Sequence, residues 1–170
     1  MIMYIENETF TPLQNLEVID LSSNSLDTVP RELLSLPNLR KLYMNNNRLA
    51  AYAGLLNPPS SETLEFLSLS RCHLTQFPPL DSFPSLKTVN FSTNELKSLS
   101  TLQLAPMCAL QSLDLSNNPL LFKDRRQYNI CDCIAVELWI ESKQIEMNHL
   151  KLNCSKSKYS YYAQVNLFLF

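Results

Sequence analysis

Glycine is almost missing from this sequence: there is one, Gly54, in 170 residues. Loops that cradle phosphate on glycine backbone are therefore excluded. The turns must come from Asn, Pro and Ser instead. A basic excess is missing too. The 14 Lys and Arg are set against 16 Asp and Glu, so there is no positive face of the kind that binds nucleic acid. No apolar run approaches the ~18–20 residues of a membrane-spanning helix. The opening Met1-Ile2-Met3-Tyr4-Ile5 is too short for a signal-peptide core and has no basic stretch before it. Histidine is scarce. His73 and His149 belong to no readable nucleophile–base set. The carboxylates are scattered. The expectation is a chain without catalytic function, cofactor or metal.

What is present is a repeat. Residues 110–120 read Leu-Gln-Ser-Leu-Asp-Leu-Ser-Asn-Asn-Pro-Leu. The skeleton L-x-x-L-x-L-x-x-N-x-L occurs four more times upstream. The copies start at Leu16, Leu39, Leu64, Leu86 and Leu110. Each short apolar-polar-apolar core has the alternation of a half-buried strand. Asn24, Asn47, Asn94 and Asn118 follow those strands, with Cys72 at the same place in the third copy. An amide carries both donors and acceptors, so it can bond the main chain where the strand turns away. The return path carries apolar anchors such as Val29, Leu33 and Leu36, or Phe77, Leu80 and Phe83. A short helical turn is expected over Arg31–Leu36, between Pro30 and Pro37. A single repeat cannot bury its stripe; a stack of them can.

Five copies at this spacing, over roughly residues 5 to 120, resemble the leucine-rich repeat family, whose period is ~20–29 residues. The resemblance implies an α/β leucine-rich repeat solenoid. Short parallel strands would line its concave face, and irregular or short helical segments its convex side. Residues 1–120 would form the array, with a partial first repeat at 4–15. Residues 121–170 would form a small, incomplete cysteine-rich cap with one helix. In that cap Asn118-Pro119, Cys131-x-Cys133, Trp139 and Cys154 stand in the order found in extracellular members. The family pattern would join Cys131 to Cys154 and leave Cys133 without its partner. The helix is expected over about 132–143, with Asp132 as N-cap and Ile134, Leu138 and Trp139 on its apolar face. Zinc is the competing reading of Cys-x-Cys, but the spacing is short and only His149 and Cys154 could join. Cys72 and Cys108 are expected to be buried thiols.

The resemblance places three columns of side chains on the concave face. Asp20, Tyr43, Ser68, Asn90 and Asp114 form the central one. Val18, Lys41, Phe66, Thr88 and Ser112 precede it, and a consensus column of Ser and Asn follows it. The candidate protein-binding residues are Asp20, Lys41, Tyr43, Phe66, Ser68, Asn90 and Asp114. Two rings beside a cation have the composition of a binding hot spot, although Tyr43 and Phe66 can also simply pack against each other. Sequons at Asn7, Asn90 and Asn153 are candidate glycosylation sites. The repeats and cap resemble the ectodomains of Toll-like and adhesion receptors. They imply a protein ligand and an extracellular or cell-membrane parent, of which this chain is a C-terminal piece. A cytosolic scaffold is the alternative, as is a truncated product with no function of its own. The open ends of the array predict dimerisation or other self-association.

Overall fold

The structure is a computed structural model. It describes residues 1–6, 8–49, 60–123 and 130–147, the last stretch with side chains from residue 133. Five three-residue strands follow one another: β1 (Val18–Asp20), β2 (Lys41–Tyr43), β3 (Phe66–Ser68), β4 (Thr88–Asn90) and β5 (Ser112–Asp114). They form one parallel sheet in chain order. Its register aligns Val18, Lys41, Phe66, Thr88 and Ser112 in one row, and Asp20, Tyr43, Ser68, Asn90 and Asp114 in another. The strand-centre residues Leu42, Leu67, Val89 and Leu113 face inward and are fully buried. Parallel strands need a crossover connection. Here the return half of each repeat supplies it, so the chain advances by one coil per repeat. The result is a solenoid with a small helical cap.

The return side contains α1 (Arg31–Leu34) and α2 (Thr101–Leu104), each a single turn. Leu33 and Leu34 anchor α1 in the core. The second turn was not expected. It forms because Ser100 and Gln103 make a reciprocal capping box. Leu99 and Leu104 are buried there, but Leu102 is 83% exposed and is not the anchor its apolarity suggests. In the first half-repeat Phe10 is buried while Leu13 is exposed. Cys108 also departs from expectation. It lies exposed just past α2, because the buried positions of that turn go to Leu104 and Met107.

Five residues at one repeat position, Ser23, Asn46, Arg71, Thr93 and Asn117, have φ between 55° and 58°. Each directly precedes the ladder residue. Left-handed backbone usually calls for glycine. The scarcity of glycine means that this chain bends each strand out of the sheet with side-chain-bearing residues.

The helix α3 (Ile130–Ser142) starts earlier than expected, so Asp132 lies inside it rather than capping it. Its buried stripe is Cys133, Val136 and Ile140; Ile134 and Trp139 are only partly covered. The buried stripe lies on a different face from the expected one, because that is the face where α3 rests on α2. Cys133 is disulfide-bonded, which corrects the reading that leaves it unpaired; its partner lies outside the described residues. Beyond α3, Glu146 joins the outer edge of β5. Leu113 N–H donates to its carbonyl, and its own N–H donates to the Gln111 carbonyl. Residues 145–147 and α3 thus cover the C-terminal end of the sheet.

Candidate concave-face binding site

Behind the strands runs a ladder of buried amides. Asn47 donates through Nδ2 to the carbonyls of Met44 in its own coil and Leu21 in the preceding one. Asn94 does the same with Phe91 and Leu69, and Asn118 with Leu115 and Phe91. Their Oδ1 atoms accept N–H groups of the preceding coil: Leu26 for Asn47, Cys72 and Leu74 for Asn94, Leu96 for Asn118. The bonds to the preceding coil tie one coil to the next, which holds the strand face in place. Cys72 occupies the ladder position of the third coil and is fully buried. Burial pushes its thiol pKa up to about 11, so it is an un-ionised structural group with no nucleophilic character.

On the concave side the rings of Tyr43 and Phe66 lie 4.7 Å apart, tilted by 39°. Both remain half-exposed. They pack against each other and still offer an apolar surface outward. Lys41 pairs in register with Phe66 on one side and Val18 on the other. Among the described residues it makes no ion pair, and Val18 is 49% exposed. One cation, two rings and a branched aliphatic side chain therefore share the first three strands.

The other candidates are arranged differently. Ser68 is only 2% exposed, and its hydroxyl donates to Asn45 Oδ1 at 2.6 Å. That bond turns it inward, so it offers a partner little. Asp20 accepts the Ser22 N–H at 2.8 Å. The Ser22 hydroxyl and then that N–H hold its carboxyl below the ordinary 3.8. Asp114 and Asn90 accept the N–H groups of Ser116 and Ser92 in the same way. These acids and amides shape the turn out of each strand, a use the spacing did not reveal. Asn90 is half-buried on the strand face. Asn7 and Asn153 lie outside the described residues, as do the side chain of Cys131 and all of Cys154.

A further row escaped the sequence reading. Glu17, Arg40, Glu65, Lys87 and Gln111 stand one position before each strand. Arg40 Nη1 reaches Glu65 Oε1 at 2.9 Å, and Lys87 Nζ reaches Glu65 Oε2 at 3.1 Å. Lys87 first, and then Arg40, keeps the Glu65 carboxyl below its ordinary value. The signal was the alternating sign at a fixed repeat position. His73 lies 3.3 Å from Glu95 on the exposed rim. Among the described residues, no group of three or more His, Cys, Asp or Glu could hold a metal ion. No helix among them is long and apolar enough to cross a membrane. A shallow open depression of about 450 Å³ lies at Thr11, Gln14, Arg31, Glu32, Ser35 and Leu36, away from the strand face.

Stacked parallel strands tied by buried amides, with a polar, ring-bearing outer face, define a repeat solenoid built for interaction. The chain belongs to the leucine-rich repeat family. Leucine rich repeat profiles match residues 2–49, 62–104 and 109–131. Over 142 residues, 82% of this chain, it is 30% identical to chaoptin of Drosophila melanogaster. It is 33% identical to human Toll-like receptor 8 over 141 residues, 69% of this chain. The matched stretch is 9% of chaoptin and 13% of Toll-like receptor 8. The chain thus spans a small part of the length of these relatives. The fold also matches a chain of the Drosophila Toll–Spatzle complex, with a TM-score of 0.61 at 24% identity, covering 71% of this chain and 17% of that one.

Proposed function

We propose that this chain is a protein-interaction module of a cell-surface receptor or secreted protein. It takes a protein ligand on the concave face around Lys41, Tyr43 and Phe66. The observation that carries the reading is the ring pair, in contact but half-exposed, beside a cation that makes no ion pair among the described residues. Aromatic anchors next to a charge are where binding energy concentrates. The matched chain in the Toll–Spatzle complex was solved with a protein ligand, which supports a protein as the partner class. The mechanism is presentation of a fixed surface, without chemistry. Asn90, two strands away from Lys41, would carry a glycan on the same face and direct a ligand toward β1–β3. Asn7 and Asn153 are the other proposed glycosylation sites.

The test uses the chain as a tetrameric probe on an array of secreted and cell-surface proteins. Every captured protein is then measured against a Tyr43→Ala/Phe66→Ala double variant and a Leu102→Ala control on the return side. Loss of binding by roughly 30-fold or more in the double variant alone is expected, as for a hot-spot pair. Capture indifferent to the double variant would sink the site.

A cytosolic scaffold is the second reading. Two free thiols, one of them exposed at Cys108, favour it. Intact mass from the natural source separates the two. Glycan mass supports the extracellular setting; an unglycosylated chain whose five cysteines all alkylate without reduction supports the scaffold.

A further inference from the structure

Charge is spread unevenly over the five copies of the repeat skeleton. The first, residues 16–26, carries only the acids Glu17 and Asp20. The second, residues 39–49, carries only the cations Arg40, Lys41 and Arg48. The third and fourth, His73 aside, each hold one charge of either sign: Glu65 with Arg71, and Lys87 with Glu95. The fifth has Asp114 alone. The strands stack in register, so this pattern becomes a step from acid to base between β1 and β2.

The cations of the second copy are not equally engaged. Arg40 is held by Glu65, which also holds Lys87. Lys41 and Arg48 are exposed and make no ion pair among the described residues. Lys41 lies in register with Phe66, one strand spacing of about 4.8 Å away. It also shares a strand face with Tyr43, two residues on. Tyr43 in turn lies in register with Asp20 on β1. The contacting rings therefore have a cation beside Phe66 and a carboxylate beside Tyr43.

We infer that the ring site selects an acidic protein segment that bears an apolar side chain; this rests on the concave-face reading proposed above. The apolar side chain covers Tyr43 and Phe66, and a carboxylate of the segment pairs with Lys41. Asp20 repels that carboxylate from the Tyr43 side, which orients the segment. Complementary charge of this kind steers the encounter, fixes register and suppresses wrong partners. A sulfated polysaccharide fits less well. A polyanion needs a continuous cationic stripe, and in the row before the strands Glu65 interrupts Arg40 and Lys87. A sugar chain would also leave the two rings without an apolar partner.

The probes are synthetic peptides: Gly-Ser-Glu-Glu-Trp-Glu-Glu-Ser-Gly, and two counterparts with every Glu replaced by Gln or by Lys. A further peptide keeps the Glu residues and replaces Trp with Ser. Each is titrated into the full chain while the amide signals of Lys41, Tyr43 and Phe66 are followed by NMR. The acidic Trp peptide should bind about threefold more tightly than its Gln counterpart and about tenfold more tightly than its Lys counterpart, the scale of exposed charge pairs. The preference should fade in roughly 0.5 M salt. Lys41→Glu, at an exposed position, should reverse the order. If that variant does not fold, the three Trp peptides decide the matter on the native chain. Equal binding of those three overturns the inference and leaves the ring site standing. No shift at these residues with any peptide overturns it together with the ring site. Equal binding of the Trp and Ser forms of the acidic peptide, with displacement by a sulfated oligosaccharide, overturns it in favour of a general polyanion surface.

Discussion

Cys72 Sγ donates to the Met44 carbonyl at 3.2 Å, from the place where Asn47, Asn94 and Asn118 use an amide. The thiol reproduces the donor half of the ladder, reaching the carbonyl of the preceding coil. It does not reproduce the acceptor half. Asn47, Asn94 and Asn118 each receive an N–H from two residues past the preceding ladder position. Leu49 is the residue so placed before Cys72, and among the described residues no side-chain oxygen replaces that acceptor.

The Leu49 amide should therefore exchange with solvent faster than those of Leu26, Leu74 and Leu96, by about tenfold or more for the loss of one buried bond. Cys72→Asn should restore the acceptor and bring Leu49 into line. Amide exchange by NMR measures both. Equal protection of all four amides in the native chain would show that the thiol costs the ladder nothing.

The left-handed row offers a second handle. Thr93 has φ 56°, and branching at Cβ makes it the least suited of the five to that backbone. Asn46 and Asn117 occupy the equivalent position in β2's and β5's repeats. Thr93→Asn should raise unfolding stability by about 0.5–1 kcal/mol, read from urea midpoints at constant m-value. A loss of stability would mean that Thr93 makes a contact worth more than its backbone strain.

Glu65 stands between two cations, and its folded pKa is lowered from 4.5. The sign follows from linkage. A carboxyl with a depressed folded pKa contributes stability above its unfolded pKa, and the contribution is lost as pH falls through the folded value. Glu65→Gln should therefore lower the melting temperature at pH 7. The gap should shrink from about pH 4.5 downward and also narrow in 1 M salt, because all three groups reach solvent. A gap that is independent of both pH and salt would assign the effect to packing.

Three kinds of cysteine should be separable by mass spectrometry. Brief alkylation of the folded chain should label the exposed Cys108 and spare Cys72, which is buried with its pKa near 11. Cys133 should be recovered in a disulfide. With Cys72 and Cys108 free, its partner must be Cys131 or Cys154. A Cys133–Cys154 peptide would depart from the Cys131–Cys154 link that the family resemblance implies. A peptide joining Cys131 to Cys154 would return the assignment to that pattern.

The strand face was legible from residues alone because its period is two and its register is the repeat itself. Val18, Lys41 and Phe66 had to align once Leu16, Leu39 and Leu64 were counted as starts. The return side was not legible. Leu99, Leu102 and Leu104 are equally apolar on paper, and only the capping box at Ser100 and Gln103 decides that Leu102 points out. The same holds for the stripe of α3, which depends on where α2 lies beneath it. At the site, Lys41, Tyr43 and Phe66 could be picked out by type. That Ser68 turns inward, and that Arg40, Glu65 and Lys87 join hands outside the columns first considered, depends on what each neighbouring coil presents.

The bridge from Glu146 to the last strand closes one edge of the sheet. In polymer terms the bridge is an end-cap: a strand edge that is already paired cannot be extended from that side. Removing the bridge, for instance by ending the protein before Ile145, would leave the β5 edge open, and an unpaired strand edge is a template for pairing with another chain.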